Sequence, residues 1–185
     1  MEKFSALTDG SIALHLIENE NLSEVQNMFA GFPDSEYMLG ELERSCVPQY
    51  DSQGRRTKYG FYVSLDNELA GLSLLGISSW EHFRGYTGAD TLIHMRGKGV
   101  APKSKLHLFY LAFKLLSLNR VETGCDASNE SSKKSIDKTK GLKFEGTLRE
   151  FTRNSAGIFE DEYRYSILKS EWQTLYDECS IKVIK

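Results

Sequence analysis

Cysteine is scarce: three in 185 residues, Cys46, Cys125 and Cys179, widely spaced and with no C-x-x-C pair. An odd, scattered set excludes a disulfide framework and a cysteine-rich metal module, and reads as free buried thiols in a reducing compartment. Long apolar runs are missing too. No stretch approaches the roughly 20 residues that a membrane-spanning helix needs. The start, Met1-Glu2-Lys3-Phe4-Ser5, is not followed by an apolar core of signal-peptide length, so the expectation is a cytoplasmic protein without a membrane partner. Neither sign of charge dominates: 23 Lys and Arg stand against 26 Asp and Glu, a net charge of −3. That leaves no broad basic surface for nucleic acid. The four histidines, His15, His82, His94 and His107, are not grouped with carboxylates or thiols at ligand spacing, so no metal is expected. Repeats, low-complexity tracts and linkers are absent as well, and residues 1–185 read as one domain.

What is present fits a globular chain. Hydrophobic residues make up 40% and charged ones 26%, and a chain of this length buries about 70% of its unfolded surface. Ile12, Leu14 and Leu16 alternate as in a first strand after the Asp9-Gly10 turn. Leu22, Val25, Met28 and Phe29 recur at helical spacing up to Gly31-Phe32-Pro33, and a second helix is expected from Asp34 to about Cys46. Val47 to Lys58 reads as a mobile loop. Tyr59–Leu65 and Leu69–Ile77 form a hairpin around Asp66-Asn67-Glu68. After a loop from Ser78 to Thr87 comes a strand from Ala89 to Met95. The next helix, beginning near Pro102, is apolar nearly all round and must be buried across a sheet. A strand (Val121–Ala127), a short lysine-rich helix (Asn129–Lys140) and two closing strands (about Lys143–Arg153 and Phe159–Lys169) complete the chain. This order predicts an α+β fold: a mixed, twisted sheet of about seven strands with helices on both faces.

Between the expected fourth strand and the buried helix lies Arg96-Gly97-Lys98-Gly99-Val100-Ala101. Glycines allow close backbone approach, and the first amides of the following helix favour an anion, so the turn can cradle a diphosphate. A P-loop is excluded because Lys98 is followed by Gly99 rather than Ser or Thr, and a dinucleotide fingerprint fails at Pro102. Arg96, Gly99 and Ala101 instead fill R-x-x-G-x-A, which resembles the acetyl-CoA pyrophosphate loop of the GNAT superfamily of N-acetyltransferases.

The element order is similar to the GNAT order, extending the resemblance over nearly the whole chain. Asp9-Gly10-Ser11-Ile12-Ala13-Leu14, Asn129-Glu130-Ser131-Ser132, Lys143-Phe144-Glu145-Gly146 and Gly157…Asp161…Tyr165-Ser166…Glu171-Trp172 resemble the ribosomal-protein N-acetyltransferase branch. His15 stands where that branch usually has arginine, and two further departures stand out: His94-Met95 replaces a longer proline-containing link before the glycine turn, and Ser132 and Glu145 are about one residue further apart than the branch spacing.

The resemblance implies an acyltransferase using acetyl-CoA, without metal, on a primary amine: a protein N-terminal α-amine, with a polyamine or aminoglycoside as the alternative. A non-catalytic coenzyme-A-binding module of the same fold is left open, and so is a homodimer. It implies that Leu92, Ile93 and His94 meet the pantetheine arm, and that Arg96, Gly97, Lys98, Gly99, Val100 and Ala101 hold the pyrophosphate. Asn129 and Ser132 contact the same arm. For catalysis it implies Ser132, or Ser131, as the acid and Glu145 as the base, with Asp90 and Asp161 behind it. Relatives that use a tyrosine from the short helix find no counterpart between Ser131 and Lys140.

Overall fold

The computed structural model describes residues 3–175 and 180–185, so Cys179 lies outside the described residues. A first hairpin pairs β1 (Ala6–Thr8) with β2 (Ile12–Leu16), its turn held by Asp9 Oδ1, which accepts the amides of Ser11 and Ile12. Two helices follow, α1 (Leu22–Phe29) and α2 (Ser35–Glu41), the second prolonged by a π-helical turn over Leu42–Cys46. A two-residue strand β3 (Gln49–Tyr50) leads into β4 (Arg56–Leu65) and β5 (Glu68–Ser79). Asp66 and Asn67 join the latter two with positive φ at both positions, the geometry that matches the twist of a hairpin.

The segment from 47 to 58 is not the mobile loop that its composition predicts. Asp51 accepts the amides of Gln53 and Arg55, and the Arg56 guanidinium donates to Glu18 and to the Ile17 carbonyl. These bonds hold β3 and the start of β4 in place. The next strand is also displaced from expectation. Strand β6 runs over Arg84–Thr91, and the apolar run Leu92 to Met95 forms a 3-10 turn (Ile93–Met95) instead of strand. The reason lies at both ends. The preceding loop contracts to a tight turn closed by Phe83 at φ 50, and at the far end Asp34 Oδ2 captures the Ile93 amide at 3.0 Å.

Helix α3 (Val100–Tyr110) continues into a π-helical turn (Leu111–Leu115) and, as its all-round apolar character predicts, is buried. Leu108, Phe109, Leu111 and Ala112 have no exposed surface. It packs on β2, β5 and β6, and Ser104 receives a hydrogen bond from Ser73 of β5. Strand β7 (Arg120–Asp126), α4 (Glu130–Asp137), β8 (Lys143–Arg153), β9 (Phe159–Leu168), α5 (Lys169–Leu175) and β10 (Lys182–Ile184) close the fold.

The sheet order is β10-β1-β2-β4-β5-β6-β7-β9-β8, with β3 on β4. The described residues form ten strands rather than the expected seven; the additional ones, β1, β3 and β10, are two or three residues long. Every residue from Ala70 to Ile77 of β5 is buried, so both faces of the sheet are covered there. One junction is parallel. Strands β6 and β7 pair only through Arg84–Arg120, Gly85–Val121 and Tyr86–Glu122, and then separate.

Gly60 of β4 faces the end of the α2 segment. A Cβ there would sit 2.1 Å from the Cys46 carbonyl oxygen, a contact with backbone that no rotamer change relieves. Gly60→Ala should therefore destabilise the protein by about 1–3 kcal/mol, the scale of overpacking. Urea denaturation reads this directly, and an unchanged midpoint would mean that the helix end moves off the sheet at no cost.

Candidate active site

The parting of β6 and β7 opens a cleft. Strand β6 stays paired with β5 as far as Thr91, and β7 with β9 from Arg120 to Asp126. Each half is thus anchored on its outer neighbour, while the facing edges beyond Tyr86 and Glu122 carry backbone groups with no partner strand. The Thr123 hydroxyl crosses the gap near its apex, donating to the Thr87 carbonyl at 3.1 Å. Unpaired strand edges are ready-made docking surfaces for an extended ligand.

A cavity of about 520 Å³ lies on the β6 side of this cleft, lined by Ala89, Asp90 and Thr91 of β6, the glycine turn, the first residues of α3, and α4. At one end Arg96, Gly97, Gly99, Val100 and Ala101 line it. Gly97 and Gly99 have φ of 79° and 78°, which only glycine adopts without cost, and a Cβ on either would meet no protein atom within 4 Å. It would enter the open space of the cradle instead. Helix α3 has no side-chain cap, so the amides of its first residues remain available, and its third residue, Pro102, has none to satisfy. The donor set suits a diphosphate, with Arg96 for charge and exposed Lys134 and Lys138 on the α4 side.

Not every residue expected at the cradle reaches the cavity. Lys98 Nζ turns onto the Met95 sulfur at 3.2 Å. Leu92, Ile93 and His94 do not line it either, because the strand ends before them. Leu92 is fully buried, and His94 stacks on Phe32 with ring centroids 5.1 Å apart and approaches Glu68 Oε1 at 3.2 Å. The strand positions that border the cavity are Ala89, Asp90 and Thr91, two to three residues earlier. Asn129 and Ser132 do line it, with Ser131 beside them. Asn129 also caps α4, its Oδ1 accepting the Ser132 amide at 2.9 Å.

Glu145 is elsewhere. It borders a second hollow with Arg120, Glu122 and Tyr165, outside the β6–β7 cleft. Its carboxylate accepts two hydrogen bonds from Arg120 and one from Ser166, which hold its pKa down at about 2. A carboxylate saturated in this way is a poorer proton acceptor than a free one, and Glu145 lies apart from the cavity that Asn129 and Ser132 line. Asp161 accepts the Glu150 amide on the same outer hairpin and is likewise absent from the cavity lining.

The cavity holds other titratable groups. Asp90 accepts the Tyr37 hydroxyl at 2.7 Å. Burial pushes its carboxyl above the ordinary carboxylate range, against the opposing pull of that hydrogen bond. Partial burial and the neighbouring carboxylate in turn push the Tyr37 phenol well above its usual pKa. Lys105, in the second turn of α3, is 5% exposed and presses into the same cavity. It makes no hydrogen bond and no ion pair among the described residues. Burial lowers its pKa to about 8, with Asp90 and Cys125 acting in the opposite direction. Nothing in the sequence separates Lys105 from its neighbour Lys103, since α3 reads Val-Ala-Pro-Lys-Ser-Lys-Leu-His-Leu-Phe-Tyr; only the packing of the helix buries one of the two. Among the described residues no cluster of three or more His, Cys, Asp or Glu could hold a metal ion, and no helix is long and apolar enough to cross a membrane.

No protein-family model and no curated protein sequence matches the chain. Solved structures do. A candidate acetyltransferase from T. thermophilus is 23% identical over 96% of each chain, with a TM-score of 0.71. A candidate acetyltransferase of the GNAT family from Chromobacterium violaceum is 20% identical, covering 93% of this chain and 90% of that one, at 0.70. A chimera of the spermidine N-acetyltransferase SpeG from Vibrio cholerae and hSSAT is 18% identical, covering 89% and 99%, at 0.66. The likeness is one of fold: this chain has the architecture of GNAT-type acetyltransferases.

Two predictions follow from the cavity. Gly99→Val places a β-branched side chain at positive φ and inside the cradle; it should cost about 1–2 kcal/mol of stability and most of the affinity for coenzyme A by calorimetry. Wild-type affinity in that variant would remove the cradle from the binding site. Lys105→Met removes a buried charge whose cost is present in full below pH about 8 and fades as the pH rises towards 10.5. At pH 7 the variant should be more stable than wild type by about 1–3 kcal/mol, and the gap should narrow between pH 8 and 10 in denaturation experiments. A gap independent of pH would mean that Lys105 is solvated.

Proposed function

We propose that the protein transfers the acetyl group of acetyl-CoA to a primary amine. The observation that carries this reading is the continuity of one cavity from an anion cradle at the α3 N-terminus to the half-buried carboxylate of Asp90, along the end of β6 where it has parted from β7. Such a cavity suits a long donor with phosphate at one end and a thioester at the other. The GNAT-type architecture of the acetyltransferases with similar structures supports the same reading.

Acetyl transfer between a thioester and an amine needs the two reactants oriented, a proton removed from the amine, and a proton supplied to the departing thiolate. The amides of Val100 and Ala101, with Arg96, hold the diphosphate. The backbone of Ala89 to Thr91 aligns the extended arm, assisted by Asn129. Asp90 takes the amine proton: its raised pKa makes it a stronger base than an exposed carboxylate, and the Tyr37 hydroxyl fixes its orientation.

For the acceptor we favour a protein N-terminal α-amine, ribosomal or otherwise, on the motifs shared with the ribosomal-protein branch. Its pKa, near 7.7 to 8.0, leaves an appreciable fraction neutral near pH 7, so a modest base is enough. A small polyamine is the second reading, favoured by the structural similarity to a spermidine N-acetyltransferase. Free-thiol release from acetyl-CoA across N-terminal peptides, polyamines and aminoglycosides decides between them, and release from none of these would sink the enzyme reading.

Asp90→Asn should lower turnover by about 10²-fold or more while acetyl-CoA binding is kept, and wild-type activity should rise with pH through the Asp90 pKa, above its ordinary 3.8. Glu145→Gln, outside the cavity, should leave turnover near wild type. If Glu145→Gln fell as far as Asp90→Asn did not, the two carboxylates would exchange roles.

A further inference from the structure

We propose that Lys105 is the general acid that protonates the thiolate as it leaves. The inference rests on the acetyl-transfer reading above and supplies the step that reading leaves open. When the amine nitrogen bonds to the acetyl carbon, the carbon–sulfur bond breaks and the sulfur departs with the electron pair. A proton delivered to that sulfur keeps the negative charge from building up on it.

Each other titratable group near the cleft is poorly suited. Tyr37 already donates its proton to Asp90, and its phenol is pushed well above its usual pKa. The Cys125 thiol of β7 is raised by burial, with the Ser132 hydroxyl beside it. Ser131 and Ser132 of α4 offer only alcohol protons, which are far weaker acids than a thiol. Arg96 belongs to the cradle and does not deprotonate. Lys134 and Lys138 are exposed on α4.

Lys105 differs from all of these. It comes from α3, beneath the cleft rather than from its rim, and Asp90 of β6 and Cys125 of β7, the groups that act on its charge, belong to the two strands that part. It is almost wholly buried and lines the cavity, and its ammonium makes no hydrogen bond or ion pair among the described residues that would hold the proton back. Desolvation brings its pKa to about 8, close to that of a thiol near 8.5, so the transfer is nearly balanced in energy. The protons balance as well. Asp90 gains one from the amine, Lys105 gives one to sulfur, and passage of a proton from Asp90 to the neutral Lys105 amine restores both groups.

The test varies the leaving group. With acetyl-CoA, Lys105→Met should lower kcat by about 10²–10⁴-fold, the range for a general acid. With the acetyl thioester of a nitrothiophenol, whose thiolate leaves without a proton, the ratio of wild-type to variant kcat/KM should fall close to one. In wild type kcat should decline above pH 8; Lys105→Arg, which cannot deprotonate, should be slow and lack that decline. Equal losses with both donors would assign Lys105 a merely structural role, and mass spectrometry finding an acetyl group on Lys105 after incubation with acetyl-CoA would make it a nucleophile; either result overturns the proposal. Absence of thiol release by wild type with every amine defeats the transferase reading itself, a distinct outcome.

Discussion

Three residue pairs of parallel ladder hold the two halves of the sheet together, and the rest of the site depends on their stopping there. Had the pairing of β6 with β7 continued past Tyr86 and Glu122, backbone hydrogen bonds would have consumed the edges that now line the cleft. The opening is supported from outside: β5 holds β6 to its last residue, and β9 holds β7 along its whole length. The energetic cost of leaving strand edges unpaired is offset by this anchoring and by the burial of α3 beneath them. The same helix that roofs the core presents its N-terminus at one end of the cleft, so packing and anion binding are two consequences of one placement.

Much of this was legible in the sequence because it is local. Arg96, Gly97 and Gly99 declare a turn that needs positive φ ahead of a helix, and Asp66-Asn67 declares a two-residue hairpin. The all-round apolar helix announces its own burial. What failed to show was the position of β6. Its sequence, Arg84-Gly85-Tyr86-Thr87-Gly88-Ala89-Asp90-Thr91, has no alternation of apolar residues, since small side chains are needed where it crosses β5 and polar ones where it borders the cleft. At Gly85 a Cβ would lie 2.8 Å from the Gly76 carbonyl oxygen. Leu92 to Met95 carry the apolar signal instead, and they earn it as core residues of a turn: Leu92 is 0% and Met95 1% exposed.

The surroundings of Glu145 and Lys105 were not legible for a related reason. A carboxylate in a motif and a lysine in a helix look alike in sequence whether solvated, paired or buried. Only long-range pairing decides. The bulge between Phe144 and Gly146 on β8 brings Glu145 to Arg120 and Ser166, whereas the packing of α3 under β6 carries Lys105 beneath the sheet. Neither arrangement follows from spacing along the chain.

Those two outcomes also show how one chain can hold two opposite electrostatic regimes a few strands apart. Arg120 and Glu145 meet near solvent with every good hydrogen bond made, so the carboxylate stays ionised to about pH 2 and proton exchange near neutrality is suppressed. Asp90 and Lys105 sit deeper and are not in hydrogen-bonding contact with one another, so desolvation outweighs attraction and draws both pKa values towards neutrality, the acid upwards and the base downwards. A direct ion pair between them would have cancelled both shifts and left two inert charges. Their separation is therefore what leaves desolvation to act on each group, and the packing of α3 against β6 sets that separation.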